Sequence, residues 1–203
     1  MSDPVTLALR LPPGRHLIAV AGAPASGKST LAERMAHDLT RLGRPACMVP
    51  MDGFHLDNAI LDARGHRPRK GAPHTFDARG FARMLDDMKS GGTVYYPLFD
   101  RARDLSVACA GVVGNDTELV VVEGNYLLYD HPDWRDLAAL WSLSVWLDVP
   151  QDTLRARLMQ RWREQGLDGE TAFAKVREND LPNADEIIAH RLPATVTVTS
   201  GTA

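Results

Sequence analysis

Residues 22–29 read GAPASGKS, a match to the pattern G-x-x-x-x-G-K-[ST]. Physical chemistry explains each residue type. Gly22 and Gly27 permit backbone geometry closed to residues with a Cβ, which turns successive N–H groups toward a central anion. The stretch Gly22, Ala23, Pro24, Ala25, Ser26, Gly27, Lys28, Ser29 and Thr30 is therefore a candidate cradle for a polyphosphate. The positive end of a following helix adds to the same field. Lys28 is placed to neutralise the β- and γ-phosphates, and the Ser29 hydroxyl to ligate Mg²⁺. The chemistry implied is binding of a nucleoside triphosphate with its metal.

Such a site also needs a carboxylate near the metal. In ELVVVEGNYLL, Glu123 directly follows four apolar residues, at the end of an expected strand, and is the metal-site candidate. A second acid, Asp52 in VPMDGFHLDN, falls at the end of another apolar run. The carboxyl edge of an open α/β sheet is where ligands bind, so Asp52 could accept the proton of an attacking hydroxyl. Asp-Gly is equally a common turn pair. Two basic segments, HRPRKGAPHTFD and YYPLFDRARD, suit a polar or anionic acceptor, and His55 and His74 read as acceptor-site or loop residues. Further on, Leu154, Leu158 and Trp162 form an i, i+4, i+8 apolar stripe with Arg157 and Arg161 alongside. Arginines four apart can grip phosphate in a transition state.

These residues need a scaffold, and the chain supplies an alternating one. Leu17–Ala21 reads as a buried strand, and Leu31 to Leu42, apolar at 31, 35, 39 and 42, as a helix stopped by Gly43 and Pro45. Ala46–Val49, Leu119–Val122 and Leu143–Leu147 read as further strands of the sheet, and Ala194–Thr199 as a last one. Asp77–Lys89 and Gln151 to Gln165 read as helices. Tyr95–Phe99 and Leu105–Val113 pair as a small hairpin around DRARD, and Met51 to Thr75 is an irregular loop. The expectation is an α/β fold with a mainly parallel sheet.

Composition excludes other classes. Of 203 residues, 23 are basic and 26 acidic, and a formal charge of −3 gives no global reason to expect nucleic acid. The longest uncharged stretch, Leu192–Ala203, has 12 residues, short of the roughly 20 that a spanning helix needs. No secretory signal pattern opens the chain, so no membrane partner is expected and a cytoplasmic setting is. Cys47 and Cys109 read as small buried hydrophobes. The signatures G-x-S-x-G, H-E-x-x-H, G-x-G-x-x-G and N-K-x-D are absent, and the histidines have no metal-ligand spacing.

In order along the chain, GAPASGKST, MDGFHLDN, KGAPHTFD, the P-L-F-D turn and VVVEGNYLL resemble the P-loop kinases of the uridine kinase, pantothenate kinase and phosphoribulokinase group, over roughly residues 15–200. The likeness is greatest to bacterial proteins labelled fructose transport system kinases. It implies a three-layer α/β/α P-loop NTPase fold with a five-stranded sheet, a small capping hairpin and a helical lid at about 151–166. Residues 1–203 would then form one kinase domain with an acceptor-site loop at about 51–76. By the same resemblance, ATP and Mg²⁺ are the cofactors and a small metabolite hydroxyl the acceptor. Asp52 would be the base, Glu123 a metal-site acid and Arg157 with Arg161 the lid, catalytic together with Lys28, while Ser29 joins Glu123 at the metal; the basic segments and their neighbours add His55, Lys70, His74, Phe76, Asp77 and Arg101 as acceptor candidates from this sequence alone. GAPHTFD departs from the DHP-type stretch of uridine kinases, which speaks against uridine. The protein is expected as a monomer or homodimer. The competing class is an ATP-binding regulator or switch without turnover.

Overall fold

The computed structural model describes residues 3–199. The expected bounds of 1–203 and the end of the uncharged stretch at Ala203 lie outside the described residues. Seven strands and seven α-helices appear in the order α1 (Pro4–Leu9), β1 (His16–Gly22), α2 (Lys28–Arg41), β2 (Ala46–Pro50), α3 (Asn58–Ala63), α4 (Ala78–Ser90), β3 (Val94–Asp100), β4 (Leu105–Val113), β5 (Leu119–Gly124), β6 (Trp141–Asp148), α5 (Gln151–Glu164), α6 (Gly169–Lys175), α7 (Leu181–Ala189) and β7 (Val196–Thr199). Strands β2-β5-β1-β6-β7 form one parallel sheet in that order, and β3 and β4 an antiparallel pair apart from it.

The side-chain period of two divides the core into layers. Leu17, Ala19 and Ala21 of β1, with Val120 and Val122 of β5, face α4, whose Phe81, Met84, Leu85 and Met88 recur at helical spacing. The alternate residues Ile18, Val20, Leu119 and Val121 face Ala32, Met35, Ala36 and Leu39 of α2. Both faces of the sheet are covered, which is why β1 and β5 read as unbroken apolar runs. Among the described residues, no helix is long and apolar enough to cross a membrane.

Three expectations need correction. The stretch Met51 to Thr75 is not structureless: it holds tight turns at Met51–Phe54, Arg67–Arg69 and Pro73–Thr75 and the helix α3. Asp57 starts α3 by accepting from the Ala59 N–H at 2.8 Å, a capping bond that stabilises so short a helix. Of the cysteines, Cys47 is half-buried and Cys109 exposed, with φ of 54°. Cys109 is exposed because a two-stranded sheet covers only part of its surface. The third concerns 166–190, where the sequence showed no element. Helix α6, a π-turn at Val176–Asp180 and α7 fill this stretch.

Candidate active site

The loop after β1 turns into α2 through Ala25, φ 61°, and Gly27, φ 96°. Gly27 caps α2 in the left-handed region, which glycine enters at little cost. Pro24, Ala25 and Gly27 to Thr30 line a cleft of about 580 Å³ at the carboxyl edge of the sheet. Gly22 ends β1 beneath them; a Cβ there would stand 2.7 Å from Ser26 Oγ. Ala23 and Ser26 are buried, and Ser26 Oγ has no hydrogen-bond partner among the described residues.

Sheet register brings the two candidate acids to this loop. Glu123 pairs with Val20 of β1 and with Pro50 of β2, so Asp52, two residues past Pro50, reaches the same edge. Burial pushes the Glu123 carboxyl above its ordinary range, against the Lys28 ammonium and a hydrogen bond from the Ser29 hydroxyl, which lower it. Burial likewise pushes Lys28 down, against the carboxylates of Glu123 and Asp52. A buried cation and a buried acid that each resist their charged form are a poor match for an empty site and a good one for polyphosphate with a divalent cation. The donor set fits as well: a hydroxyl and a carboxylate are the hard oxygen ligands that Mg²⁺ takes.

The hairpin closes over this edge. A Cβ on Gly53 would stand 2.0 Å from Pro97 O, so only glycine lets β3 pass so close to the turn that carries Asp52. From the hairpin tip, Arg101 Nη2 donates to Asp52 Oδ2 at 2.7 Å. Lys70 Nζ donates to Asp104 Oδ1 and to Asn58 Oδ1, each at 2.7 Å, and lies 4.9 Å from the Phe99 ring centre. His55 stacks on Phe76 at 4.0 Å between ring centres and lies 4.9 Å from Phe99. Burial holds the His55 imidazole down at about 4, so it is neutral near pH 7.

The structure thus brings Lys28, Ser29, Asp52, His55, Lys70, Phe76, Arg101, Glu123 and Arg161 to one cleft. Besides Gly22, Ala23 and Ser26 beneath the loop, it leaves out three expected catalytic or acceptor residues. His74 is exposed, edge-on to His66 at 4.6 Å. Asp77 caps α4 instead, its Oδ1 accepting from Gly80 N at 2.8 Å; a side chain engaged with the first turn of its own helix is not directed at an acceptor. Arg157 Nη1 donates to the Ser26 and Ala25 carbonyls at 3.0 and 3.4 Å, so it braces the outside of the loop and does not pair with Arg161 over the cleft. Trp162 also departs from the expected stripe. Leu154 and Leu158 are buried, but Trp162 lines the cleft and donates from Nε1 to Asp180 Oδ2 at 2.6 Å. Asn125, Lys175, Asp180 and Asn183 line the cleft too and were not found by sequence. For Asn125 a signal existed, its place two residues after Glu123 at a strand end. For the others none did.

Fold and site together define a P-loop nucleotide-binding protein whose cleft has a second half lined by His55, Phe76 and Phe99. The model of the phosphoribulokinase / uridine kinase family matches residues 17–199, and the chain belongs to that family. It is 36% identical over 191 residues to "Uncharacterized protein YggC" of Escherichia coli K12, covering 92% of this chain and 78% of that one. It is 34% identical over 186 residues to "Putative uridine kinase C227.14" of Schizosaccharomyces pombe, covering 83% and 76%. A crystal structure named "putative fructose transport system kinase", from Silicibacter sp. TM1040, superposes with a TM-score of 0.90 at 52% identity, covering 97% of this chain and 93% of that one.

Proposed function

We propose that the protein is an ATP-dependent kinase that moves the γ-phosphoryl group to a hydroxyl of a small metabolite, a sugar, nucleoside or similar compound. The observation that carries this reading is the position of Asp52. It stands in the same cleft as Lys28 and Glu123, between the phosphate loop and the half lined by His55, Phe76 and Phe99. Arg101 occupies Asp52 Oδ2, while Oδ1 makes no hydrogen bond among the described residues. That oxygen is the one to accept the acceptor's hydroxyl proton as its oxygen bonds to the γ-phosphorus and the bond to the β-phosphate oxygen breaks.

Lys28 and Arg161, whose guanidinium is near enough to help push the Lys28 ammonium down, supply cations around the phosphoryl group. Ser29 and Glu123 would hold Mg²⁺, which when bound neutralises phosphate charge. Arg157 keeps the loop carbonyls of Ala25 and Ser26 in place. The name of the Silicibacter structure makes a ketose the first acceptor to try.

A coupled ADP-release assay over ketoses, nucleosides, pantothenate and glycerate tests this, with Lys28→Ala alongside. Release that depends on one acceptor and disappears in Lys28→Ala is expected. ADP release indifferent to every acceptor would refute the kinase reading in favour of a nucleotide-driven regulator.

A further inference from the structure

We propose that Asn179, Asn183 and Arg69 are positioning residues: they clasp the helices that follow β6 to the 51–76 segment and so hold Arg161 at the cleft. This deepens the kinase reading above and rests on it, whichever acceptor is used.

The clasp occupies the middle of a buried stripe. Ala172, Val176, Asn179, Asn183 and Ile187 recur at spacings of four, three, four and four, and all are buried. Two of these positions are polar where helical periodicity calls for apolar residues. A buried amide without a partner costs stability, so asparagine at such a position implies a specific contact.

Each amide is used in one orientation. Asn179 Nδ2 donates to Lys70 O at 3.1 Å, and Asn183 Oδ1 accepts from Arg69 Nη2 at 3.0 Å. Between them, Asn183 Nδ2 donates to Asn179 Oδ1 at 3.5 Å, and Arg69 Nη1 donates to Glu178 O at 2.5 Å. The bonds therefore run one way, from the Arg69 guanidinium through both amides to the carbonyl of the next residue. The π-turn at Val176–Asp180 carries Asn179, and such turns are rare and concentrate at functional sites.

The far side of the clasp is anchored. Tyr126 Oη donates to Gly71 O at 2.5 Å, and the Tyr126 ring is buried against Phe76 and Trp134. Since residues 69–71 are already tied to the core, the clasp adds a fixed position for the helices beyond β6. The π-turn passes that position to α5. Asp180 Oδ2 accepts from Trp162 Nε1 at 2.6 Å, and Lys175 Nζ lies over the Trp162 ring at 4.3 Å. Arg161, next to Trp162, lines the cleft. Burial pushes its guanidinium down, as does the Arg101 cation, while Asp52 and Asp180 oppose. A cation disfavoured by burial and by a like charge stays at the cleft only if its helix is held there.

The test compares the full wild-type chain with two variants. Asn179→Asp keeps the shape but replaces the donor to Lys70 O with an acceptor, and Arg69→Lys loses the fork at the half-buried rim. Hydrogen exchange read by mass spectrometry needs no acceptor. In both variants, exchange should quicken in 66–76 and 155–166 together, with β1 and β5 unchanged. Kinetics then use MgATP and the compound that drives ADP release in the panel above. Asn179→Asp should lower kcat about tenfold or more with ATP Kd nearly unchanged. In an Arg161→Lys background the same change should cost less than about twofold, because it acts through Arg161. Should β1 also exchange rapidly in Asn179→Asp, that variant has not folded, and Arg69→Lys decides on the same readouts. Losses that multiply in the double variant, or exchange that quickens only around 176–183 or nowhere, overturn the clasp and leave the kinase reading standing. ADP release indifferent to every acceptor overturns both.

Discussion

Replacing His55 by asparagine should change how stability depends on pH, by an amount the structure fixes. The imidazole lies between Phe76 and Phe99 and is held down at about 4 by burial, from an ordinary value of 6.5. A histidine whose value falls on folding favours the fold fully above 6.5, and that advantage is lost as pH drops toward 4, because only the unfolded chain takes up the proton. Over the whole window the loss amounts to about 3 kcal/mol, and about 2 kcal/mol of it has gone by pH 5. Buried carboxyls titrate in the same range, so the quantity to measure is the wild-type minus His55→Asn difference in unfolding free energy. Urea denaturation at several values between pH 7 and 4.5 provides it. The variant will be less stable at pH 7 through lost ring contacts, and the gap should narrow by about 2 kcal/mol by pH 5. A gap constant to within about 0.5 kcal/mol would refute the idea that this ring is held neutral against the aromatic floor of the cleft.

Three other outcomes follow from the same geometry. Asp52→Asn should lower kcat by about 10²–10⁴ with little change in ATP Kd by calorimetry, since shape survives and the proton acceptor does not. Glu123→Gln should raise the Mg²⁺ concentration needed for half-maximal ADP release, because a charged oxygen near Ser29 is neutralised. Arg161→Lys should lower kcat with ATP Kd nearly unchanged, whereas Arg157→Lys should weaken ATP binding, as its guanidinium holds the Ser26 and Ala25 carbonyls. Equal effects of the two arginine variants on both constants would reunite them as one lid pair.

The arginine pair shows where sequence spacing stops being informative. A separation of four places Arg157 and Arg161 on one helix face, as expected, but also about 6 Å apart along the axis. That distance decides which one meets the outer carbonyls of the phosphate loop and which the cleft, and it depends on how far α5 slides along its neighbours. Trp162 was misjudged for a related reason: a stripe of Leu154, Leu158 and Trp162 is apolar by residue type, yet the indole N–H needs a partner and finds Asp180, 18 positions on. Asp77, expected at the acceptor, is instead engaged locally as the cap of α4, accepting from Gly80 N.

The two halves of the cleft were unequally legible because they are built differently. Lys28, Ser29, Glu123 and Asp52 lie at or just beyond the ends of strands of one parallel sheet. Unbroken apolar runs locate the strands and their ends, and the rule that ligands gather at the carboxyl edge does the rest. The acceptor half comes from excursions away from that sheet: the 51–76 segment, the hairpin and the π-turn. Their positions are set by contacts between side chains distant in sequence, such as Asn179 with Lys70 and Asn183 with Arg69. The π-turn is the extreme case. VREND has no apolar period to announce it, and the buried Asn179 and Asn183 read as surface residues until the acceptor loop is laid against them. Sheet edges are fixed by burial and the excursions by polar contacts as well, so the phosphate half is tied to the core throughout, while the other half meets it at residues such as Phe76 and Tyr96 and has more room to vary elsewhere. A family that shares one phosphate site and differs in its acceptors is what that division of labour permits.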